Sequence, residues 1–345
     1  MNQTALAVAS DPGALRLTSA PVDLNERLSQ AFKNVVATAP AALRPPARDH
    51  FAKAGKQLRG KLAYSAACLY GASPETAISW ATAVELLHNA SLVHDDLCDK
   101  DSKRRGQRTT FRQYGEAAAV CLGDFLIAKA YEYGACASSA TLPHLSASIA
   151  TLVGGQAAEF CNAGYPDWAT YEQIAIDKTA PLLSLTILGA AAIQQQPVPV
   201  TPIERYFDHA ALCFQMINDI RNFSGSDGAE SPCSDLANCR PNAVIACFTG
   251  TLPKNLNARF SIWADRIRAG EIIADAVETR EWWHRLCASD AFSDTAQRLH
   301  FHFNMATGEL IKLPTGLQGV LSTLNQWLAL ELTKTQHCMS TRGDK

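Results

Sequence analysis

Three aspartates, Asp95, Asp96 and Asp99, end an otherwise apolar stretch and run into a charged one, His94-Asp95-Asp96-Leu97-Cys98-Asp99-Lys100-Asp101-Ser102-Lys103-Arg104-Arg105-Gly106. On a helix Asp95 and Asp99 lie four apart and share a face, with Asp96 beside them. Carboxylates packed that closely repel one another unless a cation sits between them. Hard oxygen donors favour Mg²⁺, which usually completes its shell with water and phosphate oxygens. Arg104 and Arg105 follow at once, and guanidinium forks suit phosphate. The segment reads as half of a diphosphate site rather than as a solvated helix end.

A second basic motif supports that reading. In Gly55-Lys56-Gln57-Leu58-Arg59 the Lys and Arg are three apart and can grip one anion from a single helix face. Alone, such a pair is plain surface charge more often than not. A third segment, Phe214-Gln215-Met216-Ile217-Asn218-Asp219-Ile220-Arg221-Asn222, repeats the spacing of the first cluster, but Asn218 and Asn222 carry neutral amides where carboxylates would be expected. Amide oxygens ligate Mg²⁺ more weakly, and by itself this segment suits a helix surface or a satisfied polar core.

The elements that must position these groups are helical. Pro74 to Leu97 has no interior Gly or Pro and is apolar on several faces, as expected of a buried helix. Further helical segments are expected over 116–137, 144–163, 168–193, 202–223, 256–289 and 318–333, with prolines near the starts and breaks. No sustained alternation of apolar and polar residues signals strands. The economical fold is all-α, with roughly ten or more helices. The first 20 residues read as a loose leader (1–20), residues 21–333 as one domain and 334–345 as a polar tail.

Composition narrows the function classes. The 345 residues include 31 Lys plus Arg and 33 Asp plus Glu, a formal net charge of -2, which argues against a general nucleic-acid binder. At 47% apolar and 19% charged the chain is too apolar for disorder. No uninterrupted apolar run is long enough to suggest a membrane span, and the N-terminus lacks the basic and apolar regions of a secretory signal. The 11 cysteines are odd in number, scattered and without a CxxC pair. They read as packing thiols in a reducing compartment, and a cytoplasmic location is expected. Trp282-Trp283 reads as core or interface, and Cys98 as a packing residue.

Together the three segments resemble the trans-isoprenyl diphosphate synthase (polyprenyl synthetase) family, farnesyl and geranylgeranyl diphosphate synthases included. The likeness runs from Gly55 to about Arg240, in the family's order and spacing. Glu85-Leu86-Leu87-His88, Gly155-Gln156, Glu159 and Lys178-Thr179 also match. The resemblance implies a single-domain antiparallel helix bundle around a deep central cavity, usually homodimeric. It implies a Mg²⁺-dependent prenyltransferase that ionises an allylic prenyl diphosphate and joins it to isopentenyl diphosphate. By the same resemblance Asp95, Asp96 and Asp99, with Asn218, Asp219 and Asn222 opposite, hold metal. Arg104, Lys178 and Arg240 hold the allylic diphosphate, and Gly55, Lys56, Arg59, His88 and Arg105 hold the second one. Thr179 and Gln215 lie near the reacting carbons.

The chain departs from the family at the third segment, whose usual form is Asp-Asp-x-x-Asp. Pro232 also stands where a lysine is usual, although Asp235 and Arg240 fit a later Asp and Lys. Three readings follow: an elongating synthase with an altered metal site, an enzyme that sends the allylic cation to another acceptor or into a ring, or a catalytically weak partner subunit. The retained Lys56, Arg59 and Arg105 favour the first, because a cyclase needs no second diphosphate. In the family, residues just before the first aspartate set product length. Here Ala90 and Ser91 are small and Leu87 is medium-sized, so a pocket for a chain of about C15 or longer is expected below the metal site.

Overall fold

The computed structural model describes residues 23–52, 55–104, 106–161, 164–225, 233–272 and 277–340, with no side-chain description for 161 or 336–340. The expected 1–20 leader lies outside these residues. In chain order the helices are α1 (Leu24–Thr38), α2 (Arg44–Phe51), α3 (Leu58–Leu69), α4 (Pro74–Cys98), α5 (Thr110–Tyr114), α6 (Glu116–Ala137), α7 (Leu142–Cys161) and α8 (Trp168–Ile193). They continue as α9 (Val200–Asn222), α10 (Ser234–Ala237), α11 (Ala243–Thr251), α12 (Lys254–Arg268), α13 (Val277–Cys287), α14 (Ala291–Ile311) and α15 (Thr315–Ser340). Between α4 and α5 a two-stranded hairpin pairs β1 (Lys103–Arg104) with β2 (Gln107–Arg108).

Local chemistry starts several of these helices. The Ser73 hydroxyl accepts from the Thr76 N–H (3.2 Å) ahead of Pro74 at the first turn of α4. Asp167 caps α8 through the Thr170 N–H (2.9 Å), and Asn242 caps α11 through the Val244 N–H (2.9 Å).

α4 and α8 form the inside of the bundle. α4 packs chiefly on α6 and α3, α8 on α7, α9 and α3, and α9 on α14. Trp80 of α4 is fully buried, fills the space that a Cβ on Gly189 of α8 would take and donates Nε1 to the Thr186 carbonyl (3.2 Å). α8 is long and apolar enough to cross a membrane by composition, but most of it is buried inside this bundle, as in a core helix.

The helix boundaries depart from expectation in several places. Residues 256–289 are two helices, α12 and α13, and α1, α2, α3, α5, α10, α11 and α14 lie outside every expected segment. The polar residues from Lys334 onward continue α15 to Ser340, because Thr335 is buried and Lys334 pairs with Glu331 at 3.0 Å.

Candidate active site

A cleft of about 1560 Å³ opens between α1, α3, α4, α7, α8, α9 and α15. Asp95 and Asp99, on one face of α4, both border it. Asp96 does not. Its side chain is 4% exposed, and it accepts from Arg104 Nε at 2.6 Å. The β1–β2 hairpin, turning through Gly106 at φ 74°, lays Arg104 back over α4, where Nη2 also lies 3.3 Å from Asp95. Burial raises the Asp96 pKa to about 6 despite Arg104. Burial and then the Asp95 charge push Asp99 up.

Two further cations, Lys178 and Arg240, complete this end. Lys178 of α8 pairs with Glu159 of α7 and lies 3.6 Å from Asp95. Burial works against its charge, but Glu159 and Asp95 prevail and its pKa stands above the ordinary lysine value. This pairing needs α7 and α8 to touch. A Cβ on Gly155 would lie 2.7 Å from Asp177 Cβ and 2.9 Å from the Asp177 backbone carbon. Arg240 donates Nη2 to the Asp99 carbonyl (2.6 Å) and the Asp101 carboxylate (2.8 Å), and stays charged although partly buried.

A second cationic set lies across the cleft at the start of α3. Gly55, Lys56 and Arg59 border the cavity, and Gln57, in the left-handed region at φ 51°, turns the chain into the helix. Arg59 Nη1 donates to His88 Nε2 of α4 (3.3 Å). Its buried Nε finds no partner among the described residues, a donor ready for an anion. Burial lowers the Arg59 pKa, and Glu85 partly offsets this. Glu85 also accepts from the Gly60 N–H at 2.8 Å, fixing the α3–α4 crossing. Arg105 lies outside the described residues.

The third segment, on α9, is occupied differently. Asp219 is 2% exposed and accepts from Tyr171 Oη (2.6 Å), the Ala243 N–H (2.7 Å) and Gln215 Nε2 (2.9 Å). Burial still raises its pKa to about 7. Asn222, also 2% exposed, donates to Ser234 Oγ (2.7 Å) and accepts from the Asp235 N–H (3.1 Å). Asn218 is the member of this trio that is half-buried at the cavity wall.

The polyprenyl synthetase family model matches residues 40–259. The chain belongs to the polyprenyl synthetase family. A geranylgeranyl pyrophosphate synthase of Capsicum annuum is 33% identical over 61% of this chain and 60% of its own length. A (2E,6E)-farnesyl diphosphate synthase of Mycobacterium bovis is 35% identical over 50% of each chain. The chain thus spans about half to three fifths of the length of these curated relatives. A polyprenyl synthase of Caulobacter crescentus, solved with calcium and isoprenyl diphosphate, has the same fold, with a TM-score of 0.73 at 22% identity over 89% of this chain and 95% of that one.

Within this polyprenyl synthetase fold several sequence expectations are corrected. Leu87 and Ala90 have no exposure and sit in the hydrophobic core. At about 100° per residue Ala90 is turned roughly 140° from Asp95, whereas Ser91 is turned only about 40° and borders the cleft. Asp96 does not line the cleft, whereas Asp219 and Asn222 do, although both also hydrogen-bond to protein groups. Thr179, Gln215, His88 and Lys178 do border the cavity. The sequence reading missed Tyr171, Ser234, Asn242 and Trp327. A tyrosine or tryptophan carries no local signal of this kind.

Among the described residues no three His, Cys, Asp or Glu side chains converge as a preformed metal site, since Arg104, Lys178 and Arg240 neutralise the carboxylates. The donors still fit Mg²⁺. They are hard carboxylate oxygens that border the cleft, and Mg²⁺ needs only one or two of them beside water and phosphate.

Proposed function

We propose that the chain is a Mg²⁺-dependent prenyltransferase that joins an allylic prenyl diphosphate to isopentenyl diphosphate. The observation that carries this is the pair of separate anion subsites on one cleft. One is Asp95, Asp99, Arg104, Lys178 and Arg240; the other is Lys56, Arg59 and His88. A protein that only ionised and cyclised one diphosphate would have no use for the second.

Asp95 and Asp99 would hold Mg²⁺, which would supply the positive charge that a departing diphosphate needs. Arg104, Lys178 and Arg240 already lie against those carboxylates and turn to the diphosphate as it enters. Asp96 acts through Arg104 and fixes where that guanidinium points. The C–O bond breaks with its electron pair leaving on diphosphate. Leu92, Leu152, Leu182 and Phe214 line the cavity and keep water from the allylic cation, while Thr179 and Gln215 border its reacting end. Lys56 and Arg59 hold isopentenyl diphosphate, whose C4 π electrons form the new bond, and a proton then leaves to the released diphosphate.

The neutral Asn218 weakens the α9 side as a metal wall, so the first motif carries most of the cation binding. Exposed Val120 on α6 and Val153 and Phe160 on α7 support a homodimer formed through these helices.

Incubating the protein with Mg²⁺ and dimethylallyl, geranyl, farnesyl or geranylgeranyl diphosphate, with and without isopentenyl diphosphate, tests the reading. A longer trans-prenyl diphosphate is expected only when both substrates are present. Cyclised or hydrolysed products that form equally well without isopentenyl diphosphate would overturn it.

A further inference from the structure

Arg221, the basic residue inside the altered third motif, has no part in either anion subsite. It pairs instead with Glu331 of α15. Two residue pairs line up across this helix contact. Phe214 and Arg221 lie seven apart on α9, and Trp327 and Glu331 lie four apart on α15, so each pair shares a helix face. The Phe214 and Trp327 rings meet at 5.7 Å and 37°. Glu331 is held a second time by Lys334 Nζ at 3.0 Å and is nearly buried. α15 is therefore fixed to α9 at two points, about one turn apart on α15 and two turns apart on α9.

The outcome of this clamp appears at the cleft. Trp327 and Thr323 form its α15 edge, and the Trp327 ring stands 5.3 Å from Lys56 Nζ, within cation–π range. Lys56 is exposed, follows Gly55 and belongs to the turn before α3. A lysine in such a place samples many rotamers, and holding it at an anion subsite requires something beside it.

We propose that Trp327 is a positioning residue for Lys56. Its indole face holds the ammonium at the second diphosphate subsite and closes the cleft beside it, and the Arg221–Glu331 pair sets the ring's place. This rests on the assignment of Lys56 to isopentenyl diphosphate, and the test separates the two.

Isopentenyl diphosphate without an allylic partner cannot turn over, so calorimetry reads its binding directly. Inorganic pyrophosphate run in parallel probes the same subsite without the hydrocarbon. Trp327→Leu should weaken both ligands about five-fold, the size of one partly exposed cation–π contact. Trp327→Phe should restore most of the loss. In steady state the KM for isopentenyl diphosphate should rise by the same factor, with the KM for the allylic diphosphate unmoved. In a Lys56→Ala background Trp327→Leu should add little, because the ring then has nothing to hold. Should Trp327→Leu not fold, Arg221→Glu is expected to weaken the same ligands and Arg221→Glu with Glu331→Arg to recover them. An equal effect of Trp327→Leu with and without Lys56, or no effect on either ligand, overturns the inference. Wild-type protein that binds pyrophosphate but not isopentenyl diphosphate overturns the functional reading, while the pyrophosphate series still decides the role of Trp327.

Discussion

Asp96→Asn should leave the protein more stable at neutral pH and less active. The Asp96 carboxyl is 3% exposed, and burial lifts its pKa from 3.8 to about 6 even with Arg104 bonded to it. A carboxylate whose pKa is raised on folding opposes folding once it is charged. At about 1.36 kcal/mol per unit, the shift is worth at most about 3 kcal/mol at pH 7. The sign is fixed by proton binding. Between the two pKa values the folded protein holds more protons than the unfolded chain, so stability falls as pH rises through that window. Asparagine removes the charge and keeps the shape. The variant should therefore match wild type near pH 4 and exceed it above about pH 6, by roughly 5 °C in melting temperature for a chain of this size. Activity should drop about 10- to 100-fold, as for residues that orient a metal site from behind, because Arg104 loses its anchor. Thermal scans in EDTA at pH 4.5 and 7.5, with steady-state rates in Mg²⁺, check both halves. A variant less stable than wild type at pH 7.5, or a stability difference independent of pH, would refute the reasoning.

Three other outcomes follow from side-chain placement. Asn218→Asp should lower the Mg²⁺ concentration needed for half-maximal rate, whereas Asn222→Asp should destabilise by about 1–3 kcal/mol, since it places a carboxylate at a position that is 2% exposed; Mg²⁺ titrations and denaturant melts separate them. Ser91→Phe should shorten the product or bar farnesyl diphosphate, while Ala90→Phe should overpack the core by about 1–3 kcal/mol without changing product length, as read by product chromatography and melts. Buried His302 shares a 3.0 Å hydrogen bond with His209, and burial, His209 and Arg298 lower its pKa from 6.5 to about 4. Its contribution to stability, up to about 3 kcal/mol, should be lost as pH falls from about 6.5 to about 4, and His302→Gln should flatten the unfolding free energy over that window relative to wild type.

The amino-acid sequence by itself determined the fold class and the family, and it singled out the charged residues proposed for the two anion subsites. The spacing of Asp95, Asp96 and Asp99 puts them at one helix end whatever surrounds them. The long helices α4, α6, α8 and α9 carry patterns that no strand would tolerate. Those are local properties, set by the rise and turn of a helix. Only the tertiary structure decided which of these groups reach the cleft. It set Asp96 behind the cleft, enclosed by the hairpin that brings Arg104 over it. It turned Ala90 and Leu87 into the core, and it tied Asp219 and Asn222, at the cleft wall, to Tyr171, Ala243 and Ser234. Those partners lie 12 to 48 positions away, on other helices. The same holds for Trp327, which comes from α15 to stand beside Lys56 near the start of the chain. A contact of that kind depends on how two helices cross, and helix crossing is set by packing across the whole core rather than by any run of residues.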